Sequence, residues 1–327
     1  MPRVMSSEVD LSLTAAAMQR VVENVERVIA GGRDAVEAAV VCLFAEGNLL
    51  VEGVPGVGKT MLARSLAASI DGTFNRVQAT PDLLPSDLTG ISVYDQDRHE
   101  FRFVPGPIFA NVVLVDEINR TTPRTQSALL EPMEERQVTA EGTTYPMPRP
   151  YLVVATENPG EQHGTYPLPE GQLDRFMMTI HIGYPSDAKA QEIVRRQLLS
   201  HPIDDLEAVV TAADVVGHQR SVREVHVDDA IVEYVVRVVQ ATRTHPDVVL
   251  GASPRSMVAL TRASQARAAL EGRPFVLPDD VKALAPAVLS HRLVSRRHGT
   301  SSTGVGLDAV REVLAQVPVP LGLSGRV

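Results

Sequence analysis

The stretch from Asn48 to Thr60 constrains this chain more than any other. An apolar run of strand length, Asn48–Val51, leads into Gly53-Val54-Pro55-Gly56-Val57-Gly58-Lys59-Thr60, and a helical pattern follows over Lys59–Ile70. The loop fits G-x-x-x-x-G-K-[ST]. Its glycines permit backbone angles that side chains forbid. Consecutive N–H groups can then converge on phosphate oxygens, and the following helix presents its N-terminus to the same anion. Lys59 suits the β- and γ-phosphates, and the Thr60 hydroxyl suits Mg2+. Gly53, Pro55, Gly56, Val57, Gly58, Lys59, Thr60 and Met61 are therefore the residues expected at ATP. Lys occurs elsewhere only at positions 189 and 282, whereas Arg is abundant, which sets Lys59 apart. The bland alternative is a glycine-rich turn with a surface lysine.

Further runs of strand length follow at Phe74–Val77, Val112–Val115, Tyr151–Ala155 and Met177–Ile182. They are continuous rather than alternating, as in strands covered on both faces of a parallel sheet. Helical patterns separate several of them, notably Lys59–Ile70 and Pro123–Glu135, so the first half reads as a doubly wound α/β domain. In Asn111–Glu117 a buried strand carries carboxylates to the sheet's C-terminal edge, where α/β ligands bind. Asp116 is expected to hold Mg2+, directly or through water, and Glu117 to orient and polarise the attacking water. Four apolar residues and two acids say little alone; downstream of a P-loop they say much more. Asn158 stands just past Tyr151–Ala155, where an amide can hold the lytic water or the γ-phosphate; an Asn-Pro turn is the alternative.

Two helices are expected before the P-loop, over 14–30 with a stop at Gly31-Gly32, and over Arg33–Ala45. Cys42 falls in the second and reads as a buried small apolar residue. After Tyr184-Pro185-Ser186 the character changes. Helices open at Val227-Asp228-Asp229, at Ser253-Pro254 with Ser as N-cap and Pro at the first helical position, and at Pro278-Asp279-Asp280. No convincing strand lies between them. The chain of 327 residues thus divides into 1–185, an α/β nucleotide-binding core, and 186–327, a smaller all-helical domain.

Composition narrows the function classes. The 44% hydrophobic and 22% charged content suits ordinary cores and argues against wholesale disorder. The net charge of −9 argues against a general nucleic-acid binder. No apolar run reaches the length of a membrane span, and Met1–Asp10 does not read as a signal peptide. With a single cysteine, these features point to a cytoplasmic location. There is no H-E-x-x-H and no Cys–His cluster for zinc. Arg292, Arg296, Arg297 and His298 form a small basic cluster, read as a solvated helix end or a contact for an acidic partner or nucleic acid.

Two arginines complete the candidate site. Arg175 lies in Leu-Asp-Arg-Phe just before the strand that opens at Met177. One domain rarely needs an arginine there for its own phosphate, so a neighbouring subunit can use it as an arginine finger; a salt bridge to Asp174 or another acid is the alternative. Arg255 lies in the first turn of a helix, where its charge opposes the helix dipole, which favours a role with an external anion such as ATP phosphate over plain exposure.

The stretches EGVPGVGKT, TPDLLPSDLTG, FRFVPGPIFANVVLVDEINR, QSALLEPMEERQVT, ATENPGEQHGTYPLPEGQLDRF and GASPRS resemble the MoxR family of AAA+ ATPases, over roughly residues 20–320. The resemblance implies an AAA+ P-loop NTPase core with a parallel sheet and a helical lid. It also implies an inserted hairpin at about Gly90–Gly106 and a second at Val138–Pro148. By that likeness Asn158 matches sensor 1, Arg175 the arginine finger, Arg255 sensor 2, and Val28 and Ile29 the adenine pocket. Family members form rings, here expected to be hexameric, and act as chaperone-like ATPases. They are often encoded near proteins with von Willebrand factor A domains, and assist assembly, metal or cofactor insertion, or activation of client complexes. His163, Gly171 and Gly32 depart from the usual pattern, and Gly171 can loosen the short helix that positions Arg175. Replicative helicases share the hairpins, so a nucleic-acid motor is the rival reading. Asp95, Asp97 and Glu100 against Arg98 and Arg102, and Glu141 against Arg149, disfavour it. A nucleotide-dependent scaffold without turnover is a second rival. Packing within the hairpin is the reading for Tyr94, Phe101 and Phe103.

Overall fold

Five strands form the sheet on which the candidate site is built. The computed structural model describes residues 11–29, 32–158, 164–184, 186–197, 202–296 and 302–320. The strands are β1 (Leu49–Glu52), β2 (Phe74–Gln78), β3 (Val112–Asp116), β4 (Leu152–Glu157) and β5 (Met178–His181). All neighbours are parallel, in the order β2-β3-β4-β1-β5. Every residue of β1 and β3 is buried, as continuous apolar runs require when both faces are covered. β2 differs: only Val77 is buried, because the strand lies at the sheet edge and turns Arg76 and Gln78 to solvent.

Helices α1 (Ser12–Glu26), α2 (Arg33–Phe44) and α3 (Lys59–Ser69) accompany this sheet. α1 stops before the expected glycine pair, of which Gly31 lies outside the described residues. Cys42 is fully buried in α2. The helical pattern at Pro123–Glu135 forms two short helices, Pro123–Ser127 and Leu130–Glu135. Pro132 has no N–H to continue a ladder from the first, but is tolerated in the opening turn of the second.

Both hairpins are present. Gly90–Asp95 pairs with Glu100–Pro105, and Gln137–Ala140 with Thr143–Pro146. Phe103 reaches out of its own hairpin and stacks on Tyr145 of the other, 4.0 Å between centroids. Tyr94 and Phe101 meet edge-on at 5.3 Å and remain exposed.

Beyond the sheet come α4 (Asp187–Gln197), α5 (Ala212–Arg223), α6 (Asp229–Arg243), α7 (Pro254–Leu270), α8 (Pro278–Leu289) and α9 (Ser302–Gln316). The Asp228 carboxylate accepts from the Ala230 N–H at 2.8 Å and so caps α6. Pro254 and Pro278 occupy the first turns of α7 and α8. The lid is not wholly helical: Val248–Leu250 pairs with Val294–Ser295 as a small antiparallel ribbon. Strands of three and two residues are too short to carry a readable periodicity.

The second half does not sit apart from the first. α1 and α2 pack against α7, and Val21, Val40 and Leu260 belong to one apolar core with one face of the sheet.

Candidate functional site

β1 delivers the chain to the loop at the sheet's C-terminal edge. Gly56 and Gly58 have φ of +83° and +97°, left-handed values that favour glycine. Gly53 is needed for a different reason: a Cβ there would lie 2.5 Å from the backbone oxygen of Ile182, where the chain leaves β5. Lys59 opens α3 and is nearly buried, and its Nζ donates to the Gly53 carbonyl at 2.5 Å. The ammonium is thus folded over the loop, and Thr60 follows in the first turn of α3.

Beside the loop is a cavity of about 500 Å3, a size that suits a small-molecule ligand. Val28, Ile29, Val57 and Met61 line it, together with Tyr184 and Ile193. The first four were expected at the nucleotide. Tyr184 and Ile193 were not, because they come from the far side of β5 in sequence.

At the end of β3 the buried Asp116 is fixed by two donors. Thr156 Oγ donates to its Oδ1 at 2.6 Å, and Arg76 pairs with its Oδ2 at 2.6 Å. Each oxygen keeps a second lone pair for another partner. Glu117 follows in the left-handed region at φ +57°. Its N–H donates to Thr156 Oγ at 2.8 Å, and its carboxylate meets Gln78 Nε2 at 2.9 Å and Arg120 at 3.2 Å. One buried hydroxyl, on the neighbouring strand β4, therefore anchors both acids. Thr156, Gln78 and Arg76 were not singled out from the sequence; Thr156 stood inside the Ala-Thr-Glu-Asn run, and β2 carried no signal for the other two. The oxygen donors of Thr60 and Asp116 are hard and few, which fits a Mg2+ that takes its remaining ligands from phosphate and water.

Asn158 is buried at the end of β4, on the strand beside β3. One residue back, Glu157, Glu52 and His181 stand in register across β4, β1 and β5. Burial pushes the Glu157 carboxyl up to about 7, and the facing Glu52 adds to the shift. His181 Nδ1 lies 3.4 Å from Glu52.

Arg175 and Arg255 are elsewhere. Register sets Met178 beside Leu49 and His181 beside Glu52. Arg175 precedes Met178, while the loop follows Glu52. The length of β1, ~10 Å at ~3.3 Å per residue, thus separates Arg175 from its own P-loop. Both arginines line one cavity of about 480 Å3 at the sheet's N-terminal edge. Both are ion-paired to Glu134, Arg175 through Nε at 2.9 Å and Arg255 through Nη2.

The acid on Arg175 is therefore Glu134 and not Asp174. Asp174 pairs with Arg292 at 3.1 Å and accepts from the Ser253 hydroxyl at 3.0 Å. Ser253 holds the N-cap position of α7: its N–H donates to Ser256 Oγ at 3.2 Å, and its hydroxyl also ties the helix to Asp174. Arg292 is likewise no solvated helix end. It is buried and donates to the carbonyls of Val288 at 2.8 Å and Phe176 at 2.8 Å. Arg296 donates to the Val248 carbonyl at 3.4 Å. Arg297, His298 and His163 lie outside the described residues.

Residues 48–178 match the family model described as "ATPase family associated with various cellular activities (AAA)", and residues 240–310 match the AAA lid domain. Sheet, loop and lid together make this an AAA ATPase fold. The crystal structure of a Cytophaga hutchinsonii protein provisionally described as an ATPase superposes with a TM-score of 0.86 at 35% identity, covering 95% of this chain and 97% of that one. "Chaperone MoxR1" of Mycobacterium tuberculosis is 43% identical over 87% of this chain and 77% of its own length. "Protein MoxR" of Methylorubrum extorquens is 31% identical over 93% and 95%. "Uncharacterized protein YeaC" of Bacillus subtilis is 50% identical over 93% and 95%. The chain belongs to the MoxR family of AAA+ ATPases.

Proposed function

We propose that this protein hydrolyses Mg-ATP to ADP and phosphate at sites shared between copies of the chain, arranged in a hexameric ring, and that turnover remodels a protein client. Residues 1–185 act as the nucleotide-binding core and 186–327 as the lid. The observation that carries the reading is the split of the site. Loop, Asp116, Glu117 and Asn158 gather at one edge of the sheet, while Arg175 and Arg255 share a cavity at the other. Arginines so far from their own loop can serve a phosphate only if another copy presents it.

In this scheme the loop N–H groups from Gly53 to Gly58 hold the phosphates, Lys59 neutralises the β- and γ-oxygens, and Val28, Ile29 and Met61 seat the base. Thr60 and Asp116 hold Mg2+, which screens phosphate charge when bound. Glu117 accepts the proton of the attacking water, which Asn158 helps to position. Arg175 and Arg255 of the adjoining copy meet the charge that develops on the transferred phosphoryl group. The client role extends to this chain what the name of the M. tuberculosis relative says of that protein. A partner with a von Willebrand factor A domain delivering the client, and action in the cytoplasm, belong to the same proposal. No described helix is long and apolar enough to cross a membrane.

Mixing tests the shared site. Arg175→Ala and Glu117→Gln chains, each inactive alone, are combined and phosphate release is followed. Mixed rings contain sites with an intact Glu117 facing an intact Arg175, so partial activity returns. No recovery in verified mixed rings would confine Arg175 to its own chain and end the shared-site reading.

A further inference from the structure

We propose that Glu134 is the positioning residue of the arginine pair: it aligns Arg175 and Arg255 for the neighbouring copy's phosphate, and stays in place during hydrolysis. The inference rests on the reading that both arginines act across the interface.

Three observations carry it. The two oxygens of Glu134 are divided between the arginines, Oε2 taking Arg175 Nε and Oε1 taking Arg255 Nη2. Arg175 stands on the core before β5 and Arg255 on the lid helix α7, so one carboxylate fixes two guanidinium groups that no local structure would align. Neither arginine spends all its donors among the described residues. Arg175 spends Nε on Glu134 and Nη1 on the Gly171 carbonyl, which leaves Nη2. Arg255 spends Nη2 and leaves Nε and Nη1. A guanidinium has five N–H donors, so both keep N–H groups for a phosphate oxygen.

Charge decides whether Glu134 must leave when the anion arrives. Seven arginines and four carboxylates line this cavity, a net charge of +3. Arg149 and Arg262 are exposed there and have no ion pair among the described residues. The cavity therefore attracts a polyphosphate with Glu134 still ionised. Without Glu134, two adjacent cations in partial burial repel and separate. The carboxylate thus serves alignment, and its loss should act on the rate of the chemical step more than on ATP binding.

The experiment measures kcat and KM for phosphate release by rings of Glu134→Gln and Glu134→Asp chains, with assembly verified by size. Gln keeps the shape and removes the charge. Asp keeps the charge but is too short to span both arginines. The expected result is a kcat lower by ~10²-fold for Gln, as for other misplaced catalytic groups, and a smaller loss for Asp, with KM little changed in both. Mixing Glu134→Gln with Glu117→Gln chains should restore part of the activity, as Arg175→Ala with Glu117→Gln does. If the Arg175→Ala mixture recovers and Glu134→Gln rings run at the wild-type rate or faster, the positioning role is overturned while the shared site stands. If Glu134→Gln is slow but its mixture stays inactive while the Arg175→Ala mixture recovers, Glu134 acts within its own subunit and the proposal fails. If the Arg175→Ala mixture itself does not recover, the shared-site reading fails first. Should Glu134→Gln chains not assemble, a wild-type kcat in Glu134→Asp rings overturns the proposal.

Discussion

Replacing Thr156 by Val changes one buried hydroxyl and almost nothing else in volume. That hydroxyl donates to Asp116 at 2.6 Å and accepts from the Glu117 N–H at 2.8 Å, and Thr156 is fully buried. The bond to the carboxylate is charge-assisted and contributes ~1.5–3 kcal/mol; the backbone bond contributes ~1 kcal/mol. Losing both leaves an acceptor and a donor unpaired, so Thr156→Val should lower unfolding stability by ~2–4 kcal/mol in urea titration. The backbone of Glu117 should respond as well. A left-handed φ on a residue other than glycine costs of order 1–3 kcal/mol and persists only where its surroundings impose it. Freed of Thr156, Glu117 can relax toward ordinary angles and swing its carboxylate off Gln78. We expect phosphate release to fall at least ~10-fold, the equivalent of ~1.4 kcal/mol, with ATP affinity affected less. Thr156→Ser keeps the hydroxyl and sheds only a methyl group, so it should retain most of both properties. A Val variant as stable and active as the Ser variant would refute the anchoring argument.

Other consequences are as direct. Lys59→Ala should lose most Mg-dependent ATP affinity, and Glu117→Gln should keep affinity but lose turnover, since an amide is a poor base toward water; titration with a fluorescent ATP analogue beside phosphate release separates the two. Gly171 lies in the short helix Glu170–Leu173, and a Cβ there meets nothing within 4 Å. Gly171→Ala should therefore stabilise by up to ~1 kcal/mol, seen as a higher Tm without loss of activity. The folded-state pKa of Glu157 is raised from 4.5 to about 7. Its favourable contribution is full below pH ~4.5 and is lost as pH rises through ~7, a swing of about 3 kcal/mol. In nucleotide-free protein, Glu157→Gln should therefore gain Tm relative to wild type between pH 5 and 8. A constant Tm difference across that range would show that the carboxyl does not titrate there.

The sequence by itself determined what depends on neighbours along the chain. The loop from Gly53 to Thr60 was legible because its backbone angles, its helix and its lysine are all local requirements, and Asp116, Glu117 and Asn158 were legible because each ends a buried apolar run. Cys42, the openings of α6, α7 and α8 and both hairpins were readable for similar reasons, the hairpins with help from the family resemblance. Tertiary structure decided everything that depends on which strand lies beside which. Thr156 reaches Asp116 only because β4 pairs with β3, and Gln78 reaches Glu117 only because β2 pairs with β3 on its other side. The ribbon of Val248–Leu250 with Val294–Ser295 joins segments too short to show a period. Arg292 reads as a surface charge in a basic run, yet it is buried because α8 ends against the carbonyls of Asp174 and Phe176. A boundary near residue 185 is visible in the change of pattern, but α1 and α2 cross it to share a core with α7. Glu134 stood inside the stretch QSALLEPMEERQVT but was not singled out: a carboxylate on a short helix meets two arginines, eighty residues apart in the chain, only when the sheet edge and the lid bring them to its two oxygens.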